Sequence, residues 1–209
     1  NSRYIVCAAI ASALLLSSPH SVAQPAQHVA LASPGEGVRV DGDASDWPDW
    51  LSRHALDEHE YSPPTDTGDL SAGFGVAYDT STGRLLVAVT VRDQSVVMDT
   101  SASSAWYTSD GCELYLSDVA AGWPPTGVQL AVWRDTLAVR PESEDSASEH
   151  VELGLTRADT SHVYEFAIDV SRIFDREQAF APGDLLGFDV AVIDAHSDGS
   201  FTWAAWTPG

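Results

Sequence analysis

The residues best suited to chemistry lie between Ser104 and Ser117, where Trp106, Asp110 and Glu113 follow one another closely. From Cys112 onward the chain alternates, with Cys112, Leu114 and Leu116 apolar and Glu113, Tyr115 and Ser117 between them. Side chains of an extended strand alternate across the sheet with period two, so the first set suits a core and the second faces away from it. Glu113 then presents a carboxylate close to Trp106, which stands just before the strand. An indole gives flat apolar area and a carboxylate accepts hydrogen bonds, a combination that suits a small ligand. A Trp106 that simply covers the sheet edge explains the same pattern, and the strand alone leaves both readings open.

Other chemistry finds less support. Asp110 and Glu113 are paired carboxylates, but glycoside hydrolysis needs two carboxyls across a cleft, and acidic residues occur throughout this chain. There is no Gly-x-Ser-x-Gly, no His-Glu-x-x-His and no glycine-rich phosphate loop. His54 and His59 sit in a polar segment at a spacing poor for metal ligands. Cys112, in the core register of its strand, has no histidine placed to activate it. A haem-binding sandwich would want Met and His axial ligands, and Met98 is the sole methionine.

Composition narrows the partners. The chain has 31 Asp plus Glu against 10 basic residues, with no lysine, for a net charge of −21. Such a surface repels phosphate backbones and anionic lipid, so neither nucleic acid nor a membrane surface is expected as a partner. Acidic clusters bind hard cations through oxygen ligands. A solvated acidic face adapted to a salty medium has the same composition.

The positioning elements follow in chain order. Residues 1–23 read as a secretory signal peptide, with Arg3, an apolar run from Tyr4 to Leu16 and a small-residue cleavage site ending Ser21-Val-Ala23. That run is too short to span a bilayer. The mature protein is therefore expected to be secreted or periplasmic/extracellular, with Cys112 as its lone cysteine and no intrachain disulfide. Residues 24–37, rich in Ala, Pro, Gln and Ser, read as a flexible leader, and residues 38–209 as one domain. The domain opens with a short strand from Val38 into an Asp41-Gly42 turn, above Trp47 and Trp50, and Asp57 to Asp69 reads as a loop.

Strands are expected over Leu70–Tyr78, Arg84–Asp93 and Asp110–Ser117. A hairpin pairs Gly127–Arg134 with Thr136–Arg140, and a second pairs Val151–Arg157 with His162–Val170. Glu142 to Ser148 reads as an acidic loop, Phe174 to Gly183 as a connector, and Leu186–Asp194 and Ser200–Trp206 as the last strands. Many short strands with regular turn signals and no helical period predict an all-β fold, an antiparallel β-sandwich of jelly-roll type.

Several ordered motifs point further: Val40-Asp-Gly-Asp-Ala-Ser-Asp-Trp47, Gly75-Val-Ala-Tyr-Asp79, Leu85-Leu-Val-Ala-Val-Thr-Val-Arg-Asp93 and Trp106-Tyr-Thr-Ser-Asp-Gly-Cys-Glu113. Tyr164-Glu-Phe-Ala-Ile168, Leu186-Gly-Phe-Asp-Val-Ala-Val-Ile-Asp194 and Gly199-Ser-Phe-Thr-Trp203 complete the set. In this order the chain resembles a family 9 carbohydrate-binding module, from about Val38 to the C-terminus. The resemblance implies a β-sandwich that holds a terminal sugar between two tryptophans, with polar side chains on its hydroxyls, and structural Ca²⁺. It assigns Trp106 as the first tryptophan, with Asp110 and Glu113 as polar partners. An Arg is expected on the following strand, where Gln129 stands instead and is the residue left to contact hydroxyls. Trp206 is one candidate for the second tryptophan, the other being a residue expected in sequence beyond Gly209, and Trp203 is assigned to packing. The family continues beyond the motif around Trp203 into a final strand, so the sandwich is expected to lack its closing strand here. For calcium, Asp41, Asp43 and Asp46 in the opening turn form the nearest local cluster.

The expected function is a non-catalytic carbohydrate-binding module of an exported protein. The alternative is an extracellular ligand-sensing domain of a larger membrane signalling protein, which would use the same pocket.

Overall fold

Period-two alternation builds the long strands. The computed structural model of the protein describes residues 28–49, 53–62, 64, 69–99, 101, 105–119, 126–140, 142–178 and 181–207. One sheet runs in the order β1 (Ser33–Pro34), β4 (Leu70–Asp79), β5 (Arg84–Asp93), β10 (Ser161–Ile168), β9 (Val151–Ala158), and β2 (His54–Ala55) also pairs with β4. The other runs β3 (Glu58–Tyr61), β12 (Phe201–Ala205), β11 (Gly187–Ala195), β6 (Gly111–Asp118), β7 (Thr126–Trp133), β8 (Thr136–Arg140). Pairings are antiparallel except β1 with β4. The two sheets form the expected all-β sandwich.

The core lies between the sheets. Leu85, Val87, Val89 and Val91 of β5 and Tyr164, Phe166 and Ile168 of β10 are buried from one side. Cys112, Leu114 and Leu116 of β6, with Val128, Leu130 and Val132 of β7, close it from the other. Each fully buried aliphatic side chain contributes about 1.5–3 kcal/mol. Turn chemistry sets the register. At Arg134-Asp135 both residues take positive φ, 52° and 59°, the geometry of a two-residue hairpin turn whose twist matches its strands.

The structure corrects several sequence expectations. The segment expected as a flexible leader is built into the fold where it is described, since Ser33 and Pro34 pair with Ala77 and Tyr78. Val38–Val40 forms no strand. Within the expected loop from Asp57 to Asp69, Glu58–Tyr61 is an edge strand on β12. An edge strand needs only backbone pairing along one side, so charged side chains hide it from pattern reading. Glu142–His150 is coiled into 3₁₀ turns, and a short helix, α1 (Val170–Ile173), precedes the expected connector. The signal peptide and Trp50 lie outside the described residues.

One polar residue on the outer face of the first sheet holds the opening segment down. Glu165 is fully buried, and its carboxylate accepts from Asp41 N (3.0 Å), Gly42 N (2.6 Å) and Trp47 Nε1 (2.6 Å). Trp47 packs there on Ala77, Leu86, Ala88 and Ala167. Gly154, the β9 partner of Glu165, makes room: a Cβ on it would stand 2.6 Å from Gly42 N and 2.7 Å from Asp41 N. Removing the carboxylate would orphan three donors, each costing about 1–3 kcal/mol when buried without a partner. Glu165→Ala is therefore expected to lower the unfolding free energy by about 3 kcal/mol or more in urea melts. Gly154→Ala is expected to destabilise as well, by lifting the opening segment from the sheet. Wild-type stability in either variant would show that the segment is not anchored there.

Candidate functional site

The outward face of the second sheet is written in cross-strand rows, because residues directly opposite in antiparallel strands share a face. One row runs Glu60, Trp203, Ile193, Gly111, Trp133. A second runs Ala205, Ala191, Glu113, Ala131, Ala138. A third runs Asp189, Tyr115, Gln129, Arg140. Large side chains, Gly111 aside, flank the second row, which is alanine apart from Glu113 and Glu58, the edge partner of Ala205. A row of small residues between taller ones is a trough, and a cavity of about 380 Å³ lies over it. Trp106, Trp203, Trp133, Glu113, Tyr115, Gln129 and Arg140 are among its lining residues.

Trp106 comes to this cavity from a 3₁₀ turn, Trp106–Thr108, just ahead of β6. It keeps 40% of its surface exposed. Its indole meets Tyr107 (5.5 Å between centroids, 89°) and Phe201 (5.7 Å, 72°) edge-on. Tyr107 stacks on Phe201 at 5.1 Å, and Tyr61 lies 4.5 Å from Phe201. This aromatic cluster props the ring from behind and leaves an apolar surface for a ligand.

The polar groups form a chain. Gln129 Nε2 donates to Tyr115 Oη (3.2 Å), and Tyr115 Oη donates to Glu113 Oε2 (2.6 Å). Burial first, then the bond to Glu113 and its charge, push the Tyr115 phenol above its ordinary pKa, so it remains a donor. Arg140 pairs with Gln129 across β8 and β7. The missing Arg of β7 thus has a counterpart one strand over. The cavity offers carboxylate and amide acceptors, guanidinium donors and flat apolar walls.

The structure brings together Trp106, Glu113 and Gln129 of the expected ligand residues. It separates Asp110 and Trp206 from them. Asp110 lies three positions before Glu113, an odd spacing that sends it to the opposite face of the sheet, where it is buried between the sheets. Trp206 lies three positions after Trp203 and packs inward on Phe74 (5.1 Å), His54 (5.6 Å), Phe188 (6.3 Å) and His28 (5.5 Å). Trp203, expected to be packing, lines the cavity together with Trp106 and Trp133. Tyr115, Trp133 and Arg140 were legible only through the strand register that pairs them with named residues. Cys112 is fully buried, and burial pushes its thiol far up, which leaves it inert.

The expected calcium ligands do not converge. Asp41 Oδ1 accepts from Asp43 N (3.0 Å), Asp43 Oδ1 caps Ser45 N (3.0 Å) and Asp46 Oδ2 accepts from Arg39 N (2.8 Å). Each carboxylate serves a separate turn amide. Among the described residues, the group whose ligand atoms do converge is Asp93, Asp110 and His162, within 4.8 Å of one another.

Comparison with known proteins agrees with this architecture. The family model described as carbohydrate family 9 binding domain-like matches residues 40–208. The fold is similar to that of a family 9 carbohydrate-binding module from Caldicellulosiruptor kristjanssonii solved with glucose, with a TM-score of 0.63 at 15% identity over 84% of this chain and 83% of that one. A structure of a family 9 module from the same organism with cellotriose gives 0.61 at 16% identity, over 84% and 82%. No curated protein sequence matches the chain.

The separation of the two tryptophans can be measured without any ligand. Trp206→Ala deletes a ring packed on Phe74 and Phe188 and is expected to cost about 3 kcal/mol. Trp106→Ala removes a half-exposed ring and is expected to change stability by less than about 1 kcal/mol. Urea unfolding of both variants tests this, and equal losses would make Trp106 part of the core.

Proposed function

The chain belongs to the carbohydrate family 9 binding domain-like family, and from that premise we propose that it is a non-catalytic module of an exported protein that binds the terminal sugar of a saccharide in the trough of the second sheet. The observation that carries the reading is one cavity lined by Trp106, Trp203 and Glu113 together. A pyranose has apolar C–H faces and a polar rim, so flat rings with convergent acceptors and donors complement it. Glu113 and Gln129 accept from hydroxyls, and Arg140 donates to them. A cavity near the small end of the range for ligand sites suits the end of a chain better than its middle. The acidic surface supports the expectation that nucleic acid is not a partner.

Calorimetry of the full chain with glucose, cellotriose and xylo-oligosaccharides tests the reading. At least one is expected to bind at one site per chain. Trp106→Ala and Trp203→Ala are each expected to weaken that binding tenfold or more, about 1.4 kcal/mol. Glu113→Gln is expected to weaken it as well while the fold persists, as checked by circular dichroism. Cellotriose incubated with the protein is expected to stay intact, and released glucose would overturn the non-catalytic reading. Failure to bind any member of a broad saccharide panel would overturn the binding reading itself.

A further inference from the structure

Aromatic side chains left exposed gather at one place. Among the described residues they are Tyr61, Trp106 and Tyr107, and all three rings meet Phe201. Trp106 belongs to the trough already described. Tyr61 lines the same cavity from the edge strand β3, with 68% of its surface exposed and its ring 4.5 Å from Phe201 at 34°.

Strand parity would put Tyr61 elsewhere. It faces Thr202 in register, and Thr202 is fully buried on the core side of β12. Continued alternation would carry the tyrosine ring toward the first sheet with Thr202. Instead Tyr61 takes a left-handed backbone, φ 68°, which is uncommon for a bulky residue and costs energy. The other described non-glycine residues with positive φ have local reasons. Arg134 and Asp135 make the β7–β8 turn, and Asp175 follows the end of α1. At Tyr61 the departure ends β3 and delivers an aromatic ring to the ligand face. Neighbouring backbone holds it there, since Ser62 N donates to Phe201 O (3.1 Å) and Thr202 Oγ1 donates to Ser62 O.

The cavity reaches the same edge. Its lining residues run from Glu60 and Tyr61 on β3 to Ala138 and Arg140 on β8, the full width of the six-stranded sheet. Five strand spacings amount to roughly 24 Å. A single pyranose occupies a fraction of that length, and the two ends differ in kind. Ala138 and Arg140 offer no aromatic surface, whereas the β3 end offers Tyr61 backed by Phe201. Glu60 stands beside it on the outward face, opposite Trp203 in register, as an acceptor for hydroxyls. Sugars joined in a chain present one C–H face after another, so a second aromatic ring close to the first suits a second sugar.

We propose that Tyr61, with Glu60, forms an outer subsite for the second sugar of an oligosaccharide whose terminal unit sits against Trp106 and Glu113, so that the chain leaves the trough across the β3 edge. The inference rests on the saccharide-binding reading above and adds to it a residue that sets a preference for chain length.

Calorimetry of the full chain with glucose, cellobiose and cellotriose, and with xylose, xylobiose and xylotriose, tests it. In the series that binds, the disaccharide is expected to bind about fivefold or more tightly than the monosaccharide. Tyr61→Asn removes the ring and keeps a residue that accepts left-handed backbone, so its Tm is expected to be no lower than that of the wild type. In that variant the disaccharide is expected to fall to the affinity of the monosaccharide, which itself changes by less than about twofold. Tyr61→Phe is expected to keep the preference for the longer ligand. Tyr61→Gly is expected to lose it, and serves should Tyr61→Asn fail to fold. A ring that only shields Phe201 would lower Tm on removal and leave the ratio of affinities alone. The outer subsite is overturned, with the inner one intact, by equal wild-type affinities for mono- and disaccharide or by a ratio that survives loss of the ring. It is overturned too if Tyr61→Asn weakens the monosaccharide in the same proportion. Absence of all saccharide binding overturns it together with the reading it rests on.

Discussion

A strand has only two faces, and nearly everything about this molecule follows from how that constraint is met in β6 and its neighbours. Cys112, Leu114 and Leu116 must enter the core together, which forces Glu113 and Tyr115 to the other side. A one-residue slip of β6 would drive the Glu113 carboxylate between the sheets and turn three apolar side chains out of the core. The burial that stabilises the second sheet is thus the same event that presents the carboxylate and phenol of the cavity. Binding surface and core cannot be tuned independently along this strand, because adjacent residues serve opposite masters.

The trough depends on a second use of the same rule. Flanking large residues with alanines at positions 131, 138, 191 and 205 leaves depth on a surface that would otherwise be flat. Alanine contributes little burial energy, so the sheet draws its stability from the inward rows and leaves the outward middle row free for shape. Tyr115, bonded to both Gln129 and Glu113, ties β6 and β7 across that surface. The bonded polar groups are held before any ligand arrives, which lowers the ordering cost of binding.

Much of this was legible in the residues. The alternation in β5, β6 and β10 and the two hairpins gave the fold class, and motif order and strand parity singled out Trp106, Glu113 and Gln129, which line one cavity. The failures are instructive because parity contained the answer. Asp110 and Glu113 are an odd number of positions apart, as are Trp203 and Trp206, so neither pair can share a face of a regular strand. The resemblance grouped Asp110 with Glu113 where the pleat separates them, and it gave the site to Trp206 where the register gives it to Trp203. Other misses lay beyond parity. The edge strand Glu58–Tyr61 carries charged side chains that give no apolar alternation, and the convergence of Asp93, Asp110 and His162 needs both sheets to be placed before it exists. The acidic excess of the chain hid that cluster, since each of its carboxylates looks like any other aspartate in the sequence.

Asp110 links the two halves of the structure. Its oxygens hold Val97 N and Ala195 N, its backbone N–H donates to Val97 O (2.9 Å), and Arg157 Nη2 reaches its carbonyl at 3.3 Å. Ser109, next to it, holds Asp99 N through Oγ (2.9 Å). Trp106 stands in the turn just ahead of Ser109 and Asp110, so these bonds on the buried side of the sheet hold the foot of that turn. Gly111 and Ile193, which follow Asp110 and precede Asp194, form part of the cavity floor. The turn thus rests on two supports, the aromatic cluster around Phe201 and these polar anchors. The buried polar end of the sandwich is in this sense the foundation of the aromatic wall, and the cost of keeping carboxylates inside is offset by the rigidity they confer on the surface above.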